Sequence, residues 1–274
     1  MVFGMEINTL LKMYVQYKPD KGGVLFKMMK VPENTWRKTK SNNKLMVDIT
    51  NVSLGYFFVR PTKSVKKSLK LLVQNGDSKV YYTICEEDKY KSRNYPLQFG
   101  SGNYSVTLYE KVLGIKYKKV GSVSFNVKLE DASMVYLYPN DYVQNCMLAE
   151  IRAHEFIGEE YEYPHETVAA IRNYIRLNYS YDYVAAAKKR GKSEEVPDIE
   201  SCYISKMGIC TDLAAMATCM LRSCGIPAKF VIGYADKNYH VWVKIFYDDK
   251  WVLYDPTADV TGNKAKKYVA ERWY

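Results

Sequence analysis

Gly208-Ile209-Cys210-Thr211-Asp212-Leu213-Ala214-Ala215-Met216-Ala217-Thr218-Cys219-Met220-Leu221-Arg222-Ser223-Cys224-Gly225-Ile226-Pro227 is the stretch on which the reading of this chain turns. It reads as a helix that starts at about Cys210 and stops at Gly225-Ile226-Pro227, a glycine C-cap with a proline just beyond. Cys210 therefore stands at a helix start, where unpaired backbone amides and the positive end of the helix dipole stabilise a thiolate. That is a suitable place for a nucleophile.

Downstream, Lys229 to Gly233, His240 to Tyr247 and Trp251 to Tyr254 read as strands, the last two joined by the turn Asp248-Asp249-Lys250. His240 opens the second of these strands and Asp255 follows the third, immediately before Pro256. If those two strands form a hairpin on which the helix packs, the three side chains converge. Cys210 would then attack a carbonyl as the thiolate. His240 would hold that thiolate as an imidazolium and shuttle the proton, and Asp255 would fix the imidazole tautomer. The expected geometry puts the reactive atoms of Cys210 and His240 within roughly 4 Å, with the other ring nitrogen at hydrogen-bonding distance from Asp255. Taken singly, each residue has a plainer role: a small buried hydrophobe for Cys210, a satisfied core histidine for His240, a turn cap for Asp255. It is their order and their flanking tryptophans that point to chemistry.

The blocks G-I-C-T-D-L, then Y-H-V-W, then W-V-L-Y-D-P-T, joined through Gly225-Ile226-Pro227 and a strand ending at Gly233-Tyr234, resemble the core of the transglutaminase-like superfamily over about Ile204 to Thr257. The resemblance implies an α+β, papain-like fold, with the nucleophile helix packed on an antiparallel sheet. Position by position, Cys210 matches the nucleophile, His240 the base and Asp255 the third member of the triad. Trp242 matches the aromatic two places after the histidine, and Trp251 the aromatic before the acid. Val241 stands where the family usually has alanine. Tyr203 and Tyr181 are candidates for the oxyanion-hole side chain, but the Cys210 amide itself is the preferred donor. Tyr203 and Trp242 are the expected substrate contacts. The implied activity is acyl transfer on an amide or peptide through a thioester. The alternatives are a cysteine peptidase or amidase hydrolysing peptides or cell-wall-type amides, and a catalytically silent interaction module.

Upstream the texture differs. Val24–Met28, Leu45–Thr50, Tyr56–Arg60, Leu69–Val73, Val80–Ile84, Tyr104–Tyr109, Lys116–Val120 and Ser122–Val127 are short β-rich runs, with a hairpin signal at Asn75-Gly76-Asp77. Runs spaced in this way read as an all-β, sandwich-like domain. From Asp141 a helical stripe begins, carrying Val143, Met147, Ile151 and His154 or Phe156 and capped by Asn140 or Asp141. Pro164 opens a second helix with Val168, Ile171, Tyr174 and Ile175 on one face. A third runs from Tyr183 to Lys189, and residues 188–197 read as an exposed loop. The expected division is a sandwich-like domain at 1–135 and a transglutaminase-like catalytic domain at 136–274.

Charge divides along the same line. Residues 1–130 hold 23 Lys plus Arg against 10 Asp plus Glu, whereas residues 131–274 hold 17 against 20. The basic half admits an anionic polymer as a partner, but its lysines are scattered through strand-like runs, so a solvated lysine-rich face is expected and nucleic-acid binding is not. The partner that the triad requires is a protein or peptide substrate. The longest apolar runs, Leu54–Val59 and Leu213–Leu221, fall short of the roughly 18 residues of a membrane span. No signal peptide is visible at the amino terminus, which implies a cytoplasmic location if the chain is complete and an exported or cell-surface one if a leader has been removed. Six cysteines without a C-x-x-C pair, and His154 and His165 without a third ligand at metal spacing, give no zinc or redox site. With no D-x-D-x-D-G loop either, neither a metal nor a cofactor is expected. Most thiols should be reduced and buried, with Cys202 the one that could lie near the site.

Overall fold

A computed structural model of the chain describes residues 32–62, 68–84, 91–156, 164–188 and 196–274. The expected strand at Val24–Met28, Cys85 and most of the expected loop at 188–197 lie outside the described residues.

The first part is strand-built. The strands are β1 (Thr39–Ser41), β2 (Leu45–Asp48), β3 (Tyr56–Pro61), β4 (Leu69–Asn75), β5 (Ser78–Ile84), β6 (Arg93–Pro96), β7 (Gly102–Leu113) and β8 (Lys116–Val127). They form two antiparallel sheets, ordered β1-β2-β3-β6 and β5-β4-β7-β8. Alternation explains the packing: Val80, Tyr82 and Ile84 of β5 are buried while their neighbours face solvent. Phe57 meets Phe125 at 5.6 Å and Tyr82 meets Tyr95 at 4.8 Å, so aromatic rings bridge the two sheets. Asn75 pairs with Ser78 around Gly76, whose φ of 58° is the left-handed conformation that the hairpin signal called for.

Three readings change. The runs at Lys116–Val120 and Ser122–Val127 are one strand. Gly121 between them is not a break but a close approach, since a Cβ there would meet Asn42 Oδ1 at 2.7 Å. The helix expected from Asp141 starts at Met147 instead. Asn140 Oδ1 accepts from the amides of Tyr142 and Val143, and its own amide bonds Val143 O, so the side chain closes a tight turn ahead of the helix. The strands β1 and β6 carry no strong alternation in the sequence to mark them.

The helices are α1 (Met147–His154), α2 (Pro164–Asn178), α3 (Tyr183–Lys188), α4 (Ile199–Ser205), α5 (Cys210–Ser223) and α6 (Pro256–Thr261). Every residue of α5 from Leu213 to Ser223 is buried, which makes it the central helix of the fold. It ends as the sequence indicates, with Gly225 at φ 74°. The remaining strands are β9 (Ser180–Tyr181), β10 (Met207–Gly208), β11 (Ala228–Ala235), β12 (Asn238–Tyr247), β13 (Lys250–Tyr254) and β14 (Tyr268–Trp273). β9 and β10 pair in parallel, and the others form an antiparallel sheet ordered β13-β12-β11-β14. Asp248 and Asp249, both at positive φ, close the β12–β13 hairpin between paired Tyr247 and Lys250. The result is an α+β unit in which α5 packs on β11 and β12.

One continuous cluster of buried side chains runs from Leu45 in β2 to Tyr274. At the junction, Arg222 is 2% exposed and spends its donors on carbonyls: Tyr138 at 2.6 Å, Ala228 at 2.8 and 3.0 Å, and Tyr274 at 2.9 Å. These bonds tie the segment entering the helical part to the central helix. Among the described residues no helix is long and apolar enough to cross a membrane.

Candidate active site

The helix α5 begins at Cys210 because three neighbours shape the turn before it. Asp212 Oδ2 accepts the Ile209 amide at 3.1 Å, which satisfies a donor just outside the helix. Gly208 has no room for a side chain, since a Cβ there would meet Cys202 Sγ at 2.9 Å and Asp212 Cβ at 3.0 Å. Cys202 thus lies directly behind the start of α5. Cys210 itself is partly exposed, whereas Cys146, Cys202 and Cys219 are buried and Cys224 partly so, all five as free thiols.

His240 sits near the start of β12, opposite Gly233 of β11. Its Nε2 lies 2.9 Å from Asp255 Oδ2, with the two side chains only 13% and 6% exposed. Burial works against a charged ring. The hydrogen bond to Asp255, the interaction with the Cys210 thiol and the Asp255 charge outweigh it and raise the imidazole to about 9. The ring therefore favours the imidazolium over most of the ordinary pH range, engaged by Asp255 through Nε2.

Asp255 divides its oxygens between two tasks. Oδ1 accepts the Ala258 amide at 3.1 Å and caps α6, while Oδ2 accepts from His240 and from the Tyr268 hydroxyl at 2.7 Å. Burial opposes its ionisation, but the His240 bond and charge, the Tyr268 bond and the Ala258 amide together hold it below the usual carboxylate range. Tyr268, on β14, was not foreseen, because nothing in a Y-V-A-E-R-W run marks it as a partner for a carboxylate thirteen residues upstream. Its hydroxyl is raised above its ordinary value by burial and by donating to Asp255.

Trp242 stands two residues after His240 and is 1% exposed. Its ring lies 6.4 Å from the imidazole at an interplanar angle of 19° and edge-on to Tyr268 at 5.2 Å. Trp242 is thus an apolar wall for both rings. The structure places Tyr203 on α4 in a different group, beneath Lys206 Nζ at 3.7 Å and in contact with Arg152 and Tyr174. For Tyr181, burial and then the nearby Cys210 thiol push the hydroxyl up to about 12. Trp251 packs away from the histidine, against Phe246, Tyr136 and Lys229.

A cavity of about 270 Å³ adjoins the start of α5, lined by Gly208, Ile209, Asp182, Asp198 and Asp212 among others. Its three carboxylates hold backbone amides at Ala185, Ser201 and Ile209, so they serve local structure. Among the described residues no group of three or more His, Cys, Asp or Glu is arranged to hold a metal ion.

Residues 152–256 match the family model of the transglutaminase-like superfamily. The chain is 24% identical over 230 residues to the uncharacterised protein YebA of Bacillus subtilis, covering 76% of this chain and 29% of that one. It is 30% identical over 115 residues to the uncharacterised protein ML0607 of Mycobacterium leprae, covering 34% of this chain and 41% of that one. The chain thus spans less than half the length of either relative. Among solved structures, the periplasmic domain of TgpA from Pseudomonas aeruginosa aligns over 81% of this chain and 96% of that one, at 13% identity and a TM-score of 0.38.

Proposed function

We propose that residues 136–274 form a cysteine-dependent acyl-transfer unit that acts on an amide or peptide through a thioester, with Cys210, His240 and Asp255 as its catalytic residues. The observation that carries this reading is the imidazole held by Asp255 through Nε2 at 2.9 Å, on a ring whose raised titration has the Cys210 thiol, at the start of α5, among its causes. A thiol at a helix start beside a cationic imidazole is set up to react as the thiolate.

In the first half-reaction the Cys210 thiolate adds to the substrate carbonyl carbon, and the carbonyl electrons move onto oxygen. The Cys210 amide, in the first turn of α5 where helical partners are lacking, is the donor best placed for that oxyanion. As the tetrahedral intermediate collapses, the C–N bond breaks and the His240 imidazolium gives its proton to the departing amine. In the second half an amine or a water loses a proton to the now neutral His240 and attacks the thioester. The C–S bond then breaks and the thiolate is restored. Asp255 keeps the ring in one tautomer and stabilises the cation, and Tyr268 and Trp242 hold that pair in place.

Transfer to an amine gives a transamidase, and transfer to water a hydrolase. Cys210 is only partly covered, so water reaches the thioester and hydrolysis competes. The discriminating experiment incubates the chain with glutaminyl peptides and a panel of primary amines and follows the products by mass spectrometry. Amine adducts that disappear in Cys210→Ala support acyl transfer to amines, and free acid alone supports the hydrolase. Neither product, together with an unreactive Cys210, returns the protein to the interaction-module reading.

A further inference from the structure

Among the described residues, the β7–β8 hairpin runs further than the strands β4 and β5 beside it. β4 accompanies β7 only as far as the pair Leu69–Glu110, with one further bond from the Lys111 amide to Ser68 O at 2.9 Å. Among the described residues, the two strands pair beyond that point only with each other, through Lys111–Tyr117 and Leu113–Lys116, so the tip extends past the described ends of β4 and β5. A solvated tip would be built from polar turn residues. This one reads Val112-Leu113-Gly114-Ile115, with the three apolar side chains 48%, 77% and 95% exposed. Gly114 at φ 54° closes the turn between the exposed Leu113 and Ile115.

The flanks are basic. Lys111, Lys116, Lys118 and Lys119 surround the tip and are exposed, and Glu110 is the sole carboxylate between positions 110 and 120. It is already engaged by Lys118 at 3.8 Å. Tyr117 lies between these lysines, with Lys70 Nζ 5.2 Å from its ring. A protruding apolar point within a collar of ammonium groups is complementary to one kind of surface, an apolar interior behind an anionic face. A polyanion would satisfy the lysines but leave Leu113 and Ile115 in water. A second copy docking tip to tip would bring two lysine collars together and be opposed by like charge.

We propose that the β7–β8 tip is a membrane-surface anchor, inserting Leu113 and Ile115 among the acyl chains of an anionic bilayer while the lysine collar meets lipid phosphates. The test is co-sedimentation of the whole 274-residue chain with vesicles of phosphatidylcholine alone and of phosphatidylcholine with 30% phosphatidylglycerol. Binding at least tenfold tighter to the anionic vesicles is expected. It should weaken at least tenfold both in Leu113→Asp/Ile115→Asp and in Lys111→Glu/Lys116→Glu/Lys119→Glu, with unchanged circular dichroism. Should the aspartates disturb the hairpin, Leu113→Gln/Ile115→Gln carries the same reading. Absence of wild-type binding overturns the proposal. So does full binding by the apolar-tip variants, which would mean that net positive charge alone attracts the protein. Self-association that those variants abolish, with no vesicle binding, assigns the tip to a contact between copies and overturns it equally.

Discussion

The Tyr268 hydroxyl donates to the same carboxylate oxygen of Asp255 that His240 Nε2 engages, at 2.7 Å against 2.9 Å. A carboxylate held from two sides on one oxygen, and capped onto α6 through the other, has little freedom to rotate. The imidazole it carries inherits that rigidity. Tyr268→Phe removes one bond to a charged acceptor, worth about 1.5–3 kcal/mol, without opening a cavity. Turnover, or Cys210 labelling where no substrate is known, should fall by roughly tenfold or more. The Tyr268 bond lowers the Asp255 titration, so its loss should also move the acid limb of the pH profile upward. A merely structural role for Tyr268 would change stability and leave that limb where it was.

His240 and Asp255 also set how stability responds to pH. His240 is raised from 6.5 to about 9, so its contribution is fully present below about pH 6.5 and is lost as pH rises through about 9. It is worth roughly 3 kcal/mol at about 1.4 kcal/mol per unit. Asp255 is lowered, so its contribution is present above about pH 4 and is lost on further acidification. Chemical denaturation of the wild type between pH 6 and pH 10 should show stability falling on the alkaline side. His240→Gln should be less stable at pH 6 and nearly flat across that window. An unchanged slope in the variant would place the alkaline loss elsewhere.

What the sequence conveyed and what it withheld can be followed at single residues. Asp255 was legible as a partner for His240, and the cap expected of it before Pro256 closes the start of the helix α6 rather than a turn, each through a separate oxygen. α5 was legible because an unbroken small and apolar run ending at Gly225-Ile226-Pro227 states its own limits. β14 was not: its residues are half-buried or exposed, so it has no apolar alternation to detect. It is held by its fit along β11 rather than by a hydrophobic face. Tyr268 was hidden with it. The delayed start of α1 was concealed because Asn140 suits a helix cap and a tight turn equally well, and the contacts that choose between them are not local.

Gly233 is where the fit of β14 can be tested. It lies opposite His240, and a Cβ there would meet Val269 O at 2.1 Å and Ala270 Cα at 3.0 Å. Both are backbone atoms and cannot turn aside as a flexible side chain would. Gly233→Ala should therefore push β14 outward and move Tyr268 from Asp255. A loss of about 1–3 kcal/mol in stability is expected from overpacking, together with the same upward move of the acid limb as in Tyr268→Phe. Full stability in Gly233→Ala would show that β14 can shift at no cost.

Thiol labelling separates Cys210 from its neighbours by chemistry rather than by exposure alone. Burial pushes the thiols of Cys202 and Cys224 up to about 12 and raises Cys146 and Cys219 as well. Those four are poorly ionised at neutral pH and are slow nucleophiles. Cys210 alone among them stands at a helix start with an imidazolium for a neighbour. Iodoacetamide at about pH 6 should modify Cys210 first, read out by peptide mass mapping, and His240→Ala should slow that modification by roughly tenfold or more by removing the cationic partner. Asp255→Asn should slow it less, since an amide oxygen still accepts the ring N–H but no longer stabilises the cation by charge. Cys210→Ser should be inert in labelling and in turnover alike, because a serine hydroxyl beside the same imidazole is far less ionised. Labelling of Cys210 at the rate of the buried thiols, unaffected by His240→Ala, would mean that the pair does not act together and that the acyl-transfer reading fails at its first step.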